Sequence, residues 1–103
     1  MFAKIHSRAD AEGRIREVVA VCDAGLLGKK LVEKELVLDL GRYRGFYEGE
    51  KVTEGKAVML IAAAESLNLV GEKALAAARK ARPIDEKAVR RIAGVPHLQI
   101  YRV

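Results

Sequence analysis

Histidine and cysteine are scarce in this chain: His6, His97 and Cys22 are the whole supply. His97 stands between Pro96 and Leu98-Gln99, and an imidazole that titrates near neutral pH suits proton transfer or anion binding. The same ring serves equally well as a structural histidine bonded to a backbone carbonyl. Cys22 and Asp23 close an apolar run. If the fold brings them to His97, they make a nucleophile and its base; otherwise Cys22 is a small buried hydrophobe. His6, His97, Cys22 and Asp23 lack the close ligand spacing of a metal site, so neither a metal nor a cofactor is expected.

The chain has a single Asn and a single Gln, Asn68 and Gln99. Asn68 opens the stretch NLVGEK, with Gly71 and Lys73 close behind. Placed at a helix N-terminus, Asn68, Gly71 and Lys73 would offer free N–H groups and a favourable dipole to a phosphate or other small anion. The alternative is a helix that Asn68 merely caps.

Basic residues form the third group. Residues 1–40 and 41–72 have net charges of zero and −1, whereas residues 73–103 carry eight Lys/Arg against two Asp/Glu. Lys73, Arg79, Lys80, Arg82, Lys87, Arg90 and Arg91 are therefore the candidate nucleic-acid contacts, with RNA or a ribonucleoprotein as the expected partner. A solvated basic face without a partner is the plainer reading. The loop GRYRGFYEGE interleaves Arg42 and Arg44 with Tyr43, Phe46 and Tyr47, a composition that stacks on unpaired bases or packs under a sheet. Its glycines lack P-loop spacing, and no Gly-Lys-Ser/Thr follows.

Composition bounds these readings. One domain over residues 1–103 is the natural count, and 50% hydrophobic content excludes a disordered tail. A single cysteine excludes an internal disulfide framework. No apolar run approaches the roughly 20 residues that cross a bilayer, and no leader pattern opens the sequence, so a cytoplasmic protein with no membrane partner is expected. One Asn, one Gln and one Cys against 33 charged residues resemble the usage of proteins from hot environments.

The elements that must position these residues follow from patterning. Phe2–His6 and Ile15–Cys22 read as strands around a polar loop, Ser7–Gly13. Asp23 stands ready to cap a short turn through Ala24–Gly28. Leu36–Leu40 alternates as a third strand, and Gly41–Glu50 is a loop. Thr53 caps a helix through Glu65 that is apolar nearly all round and so expected to be buried. Ser66–Ala81 reads as the central helix, helical over Asn68–Arg82 and stopped by Pro83. A last helix runs from Asp85 to Gly94, with Lys87, Arg90 and Arg91 on one face. His97–Val103 closes the chain as a strand. The expected order is β-β-β-α-α-α-β: an α+β domain with a mainly antiparallel sheet packed against about three helices.

The segments VCDAGLLGKK (21–30), LVLDL (36–40) followed by GFYEGE (45–50), NLVGEKAL (68–75) and RIAGVPHLQI (91–100) together resemble the DUF424 family of small archaeal proteins of unknown function. The resemblance implies a cytosolic archaeal protein, and it brings no activity and no catalytic residues. Three functions stay open. The first is a nucleic-acid-associated module built on the basic last third. The second is a small enzyme or small-anion-binding protein with a pocket around Asn68, Gly71, His97 and Gln99, with Cys22 and Asp23 nearby. The third is an interaction subunit that uses an exposed sheet edge.

Overall fold

The computed structural model describes residues 1–102. Strands β1 (Phe2–Ala9) and β2 (Ile15–Cys22) pair antiparallel, with Phe2 opposite Cys22. β2 has its expected bounds, while β1 runs past His6 because the reversal needs only Asp10–Arg14. There the Asp10 carboxylate accepts from the N–H groups of Glu12 and Arg14. A 3-10 turn (Ala24–Leu26) leads into an antiparallel hairpin, β3 (Lys30–Glu33) and β4 (Leu36–Asp39), which forms a separate two-stranded sheet. The sequence predicts β4 but not β3, whose Lys-Leu-Val-Glu offers a weak alternation.

The segment expected as a loop holds one helical turn, α1 (Arg44–Tyr47), and the two-residue strand β5 (Glu50–Lys51). Thr53 then caps α2 (Glu54–Ala63), its hydroxyl accepting from Lys56 N–H at 3.2 Å. The expectation of an all-round buried helix is corrected. Only Ala57 and Ile61 are buried, and Met59 is 72% exposed, because α2 lies on the outside of the sheet.

The larger correction concerns Ser66–Ala81. Its first five residues are not helical; they form β6 (Ser66–Val70), buried at every position. Leu67 and Leu69 alternate with Ser66, Asn68 and Val70, and that two-residue period places an apolar pair on one face of the strand. β6 runs parallel to β2, with Cys22 opposite Val70. The helix, α3 (Glu72–Ala81), begins only after Gly71 and ends before Pro83. Asn68 is therefore a mid-strand residue and not a cap.

The expected helix at Asp85–Gly94 is also absent. Asp85 caps a single 3-10 turn (Glu86–Ala88) by accepting from Lys87 N–H at 3.0 Å. The hairpin β7 (Arg90–Ile92) and β8 (Val95–Ile100) follows. Ala93 and Gly94 both have positive φ, 51° and 80°, which is the two-residue turn that joins twisted antiparallel strands. Gly94 thus serves a hairpin and not a helix end. Of the strand expected through Val103, the last residue lies outside the described residues.

The main sheet has the order β5-β1-β2-β6-β8-β7, antiparallel except at β2–β6. With three helices this is the expected α+β class. α2 and α3 cover one face, packing Ile61, Leu75 and Ala78 on Val19, Val21, Leu67, Leu69 and Leu98. The opposite face is covered in part by the β3–β4 hairpin and α1, which close Leu40 and Tyr47 over Ala20, Cys22 and Val70. That partly covered face holds the polar residues of interest. Among the described residues no helix is long and apolar enough to cross a membrane.

Candidate functional site

Asp23 follows the last residue of β2 and reaches the first turn of α3. Its carboxylate accepts from Lys73 N–H at 3.0 Å and from Ala74 N–H at 2.8 Å. Two of the N–H groups expected to meet an outside anion thus meet one from within the chain. Gly71 makes this possible: its φ is 114°, and a Cβ there would land inside the Asp23 carboxylate. The expected grouping of Asn68, Gly71 and Lys73 is corrected: Asn68 lies within β6, and Gly71 and Lys73 meet Asp23 instead, in an internally closed helix terminus.

Cys22 is fully buried, its Sγ–H directed at the Asp23 carbonyl 3.3 Å away. Burial, and next the Asp23 charge, push the thiol up to about 11. Val70 stands between Cys22 and His97 in register, so the two lie two strands apart, about 10 Å, and form no nucleophile–base pair.

Asn68, His97 and Gln99 do come together, and two tyrosines complete the group: Tyr47, expected as a base-stacking or sheet-packing loop aromatic, and Tyr101, which the sequence reading did not single out. Asn68 is 5% exposed at the middle of the central strand, so its amide needs partners inside the protein. Oδ1 accepts from Tyr47 O–H at 2.7 Å and lies 3.1 Å from His97 Nε2, while Nδ2–H donates to Tyr101 Oη at 3.0 Å. Tyr47 arrives from α1 and Tyr101 from the end of β8. Burial drives the Tyr47 hydroxyl well above the usual phenol range, so it remains a donor. No local pattern marks Tyr47 or Tyr101 as partners of Asn68, since only the tertiary register brings them together.

Gln99 Nε2 also stands 3.3 Å from His97 Nε2, so that one ring nitrogen meets both Asn68 and Gln99, as donor or acceptor according to the ring's tautomer. Burial first and Arg90 second hold the imidazole below its usual pKa, favouring the neutral ring.

His97, Gln99 and Arg90 line a cleft of about 480 Å³ beneath the β3–β4 hairpin, with Leu36, Leu38 and Ile92 among its apolar walls. Arg90 is directly opposite His97 in the β7–β8 pairing. It has no acidic partner among the described residues. A larger groove of about 910 Å³ lies over the uncovered end of the same sheet face, lined by His6, Arg8, Phe46, Ser66, Tyr101 and Arg102 among others. His6 stacks on Phe46 at 4.4 Å and donates to the Phe46 carbonyl at 2.8 Å. Phe46 and Tyr47 of the aromatic loop therefore pack under the sheet, while Tyr43 stays exposed beside Arg42.

The basic last third does not form the expected face. Arg90 and Arg91 are neighbours on a strand and point to opposite sides of the sheet. Arg91 pairs with Glu72 at 3.0 Å, Arg79 with Glu86, and Lys80 with Glu54, while Arg82 donates to the Ala64 carbonyl at 2.8 Å. Lys73, Lys87 and Arg90 have no acidic partner among the described residues. No three His, Cys, Asp or Glu side chains cluster for a metal ion among the described residues.

The fold has a close counterpart in the crystal structure of an uncharacterized conserved protein from Methanopyrus kandleri. The TM-score is 0.79 at 28% identity, covering 97% of this chain and 89% of that one. No curated protein matches the chain. Residues 12–103 match the family described as "Protein of unknown function (DUF424)", and the chain belongs to that family.

Proposed function

We propose that this protein binds a small anionic molecule in the cleft between the β3–β4 hairpin and the β7–β8 hairpin. One observation carries the reading: Arg90, without an acidic partner among the described residues, lines that cleft directly across from His97. A cleft of about 480 Å³ is in the range of small-ligand sites. Its mixture of apolar walls and a few convergent polar groups fits a ligand with an apolar body and one negative group. The amide of Asn68 holds His97 in place from behind, and Gln99 borders the mouth. No reaction is assigned to the site. Titration of labelled protein with benzoate and with inorganic phosphate, followed by NMR, tests it. Saturable shifts at Leu38, Arg90 and His97, lost in Arg90→Gln, are expected. Their absence in wild type would end the reading.

A second reading, single-stranded RNA binding, draws on the larger groove and on the net charge of +5. Tyr101 is 50% exposed at its rim, the His6–Phe46 stack lies within it, and Arg8 and Arg102 flank it. Arg16, Asp10 and Glu65 of the same groove satisfy one another in ion pairs. That balance lowers the groove's positive potential and ranks this reading second. Either function suits a cytoplasmic protein whose lone thiol is buried.

A further inference from the structure

We propose that the free edge of β1 is the docking surface for a second copy of this chain, joined strand to strand about a two-fold axis at Ser7. β1 runs from Phe2 to Ala9, but β5 pairs only with Phe2 and Ala3. The hydrogen-bond alternation fixes which main-chain groups remain free. Asp23 N–H donates to the Val70 carbonyl, so odd-numbered residues at this end of β2 turn toward β6. Asp10 N–H donates to the Arg14 carbonyl, so even-numbered residues bond across the β1–β2 pair. Odd residues of β1 stand opposite odd residues of β2, and their N–H and C=O groups therefore point away from it. Ile5, Ser7 and Ala9 present these groups at an open sheet edge, at the end of the sheet away from the Arg90–His97 cleft.

A second copy of β1 fits this edge in one register. With Ser7 opposite the partner's Ser7, Ile5 meets the partner's Ala9 and Ala9 meets the partner's Ile5. Every free N–H and C=O of the three residues then has a mate. An axis at His6 sets Ala9 against the partner's Ala3, which β5 already occupies. An axis at Arg8 sets Ile5 against the partner's Ala11, inside the β1–β2 turn. The side chains suit the same register. On the face that α2 covers, a large residue meets a small one, and Ile15, opposite Ala9 within the chain, extends the apolar row. Ile5 and Ile15 are 48% and 62% exposed, and Met59 borders the same apolar trough as Ile5. On the other face His6 comes opposite the partner's Arg8. Lys4 comes opposite the partner's Asp10, a second cation for the carboxylate that already holds Arg16. The symmetry makes each of these contacts twice. The pairing is short and buries less than the roughly 800 Å² per partner of a standard interface, so a Kd in the micromolar range is expected.

Sedimentation velocity of the whole chain from about 10 µM to about 1 mM, a span that brackets such a Kd, tests the proposal. A monomer–dimer equilibrium is expected. In a mixture of labelled and unlabelled chains, NMR should show an intermolecular contact between the α-protons of His6 and the partner's Arg8, the close non-hydrogen-bonded pair of this register. Ser7→Pro removes the central N–H of each copy without touching the β1–β2 ladder and should weaken association about tenfold or more. Ile5→Lys puts a charge into the apolar row and should do the same; it carries the test if Ser7→Pro does not fold. Lys4→Glu should weaken the dimer about threefold or more. Lys87→Glu makes the same change in net charge away from β1 and should leave it unaltered. A chain that stays monomeric throughout the range overturns the proposal. A dimer that Ile5→Lys leaves intact, or whose intermolecular contacts lie away from β1, overturns it as well. So does growth beyond a dimer, the mark of a head-to-tail contact.

Discussion

The carboxylate of Asp23 sits on the first turn of α3, and Gly71 is the residue that makes room for it. The two contacts at 2.8 and 3.0 Å join the end of β2 to a helix about 50 residues later in the chain. Gly71→Ala adds a Cβ where the carboxylate lies and forces a non-glycine into φ 114°. A loss of about 3 kcal/mol is expected in denaturant unfolding, from backbone strain plus the displaced cap. Asp23→Ala should cost about 1–2 kcal/mol through the lost cap alone. It should also expose the helix terminus, so that phosphate shifts the Lys73 amide in this variant and not in wild type. Two variants as stable as wild type would show that this closure is not part of what holds α3.

Parts of this arrangement are legible in the sequence and parts are not, for physical reasons. Ile15–Cys22 is dense in β-branched residues, and Thr53 is followed by a helical run, so local preference and final structure agree there. In Ser66–Val70 they disagree. Ser66 and Asn68 are good caps, and the alanine-rich helix beyond Gly71 makes the whole stretch look helical. The strand forms because β2 and β8 supply partners on both sides, which no local window contains. Arg90–Ile92 is drawn into the sheet in the same way, by pairing with β8 across the Ala93-Gly94 turn. The candidate residues Asn68, His97 and Gln99 are visible as rare polar types. That Tyr47 and Tyr101 serve Asn68 is not visible, because their role is to satisfy an amide that only the folded sheet buries.

Cys22 should be inert while the protein is folded. It is fully buried, and its thiol is pushed up to about 11, so at pH 8 almost none is thiolate and none is accessible. Treatment with iodoacetamide at pH 8, read by mass spectrometry, should leave native protein unmodified and label the chain fully in guanidinium. Rapid labelling of the native state would return Cys22 to the list of reactive residues.

His97 should make stability fall on mild acidification. Burial and Arg90 lower its folded pKa, so the unfolded chain binds a proton that the folded one resists. The stabilisation is therefore full above the unfolded value near 6.5 and declines as pH drops through 6.5 towards the lower folded value. Denaturant unfolding of wild type and His97→Phe at a series of pH values between 7.5 and 5 checks the sign, since only the wild type has this contribution. A difference between the two that stays flat with pH, or that grows on acidification in favour of wild type, contradicts the buried neutral ring.

The RNA reading can be separated from the anion reading by where the charge matters. Binding in the open groove depends on stacking against Tyr101 and on phosphate contacts from Arg8 and Arg102. Two such contacts on a single strand give a slope of about −1.4 for log K against log salt. Tyr101→Ala should remove about 1–3 kcal/mol of binding to a labelled oligouridine, the range for one lost stacking partner. Arg8→Glu should weaken binding and make the slope shallower. Lys87→Glu should do neither, because Lys87 follows Asp85 in a 3-10 turn and does not line the groove. Anisotropy titrations at two or more salt concentrations measure all three. Loss of binding in Lys87→Glu with Tyr101→Ala unaffected moves the interface to the turn before β7. A wild-type chain with no affinity for the oligouridine removes RNA from consideration and leaves the Arg90–His97 cleft as the working site.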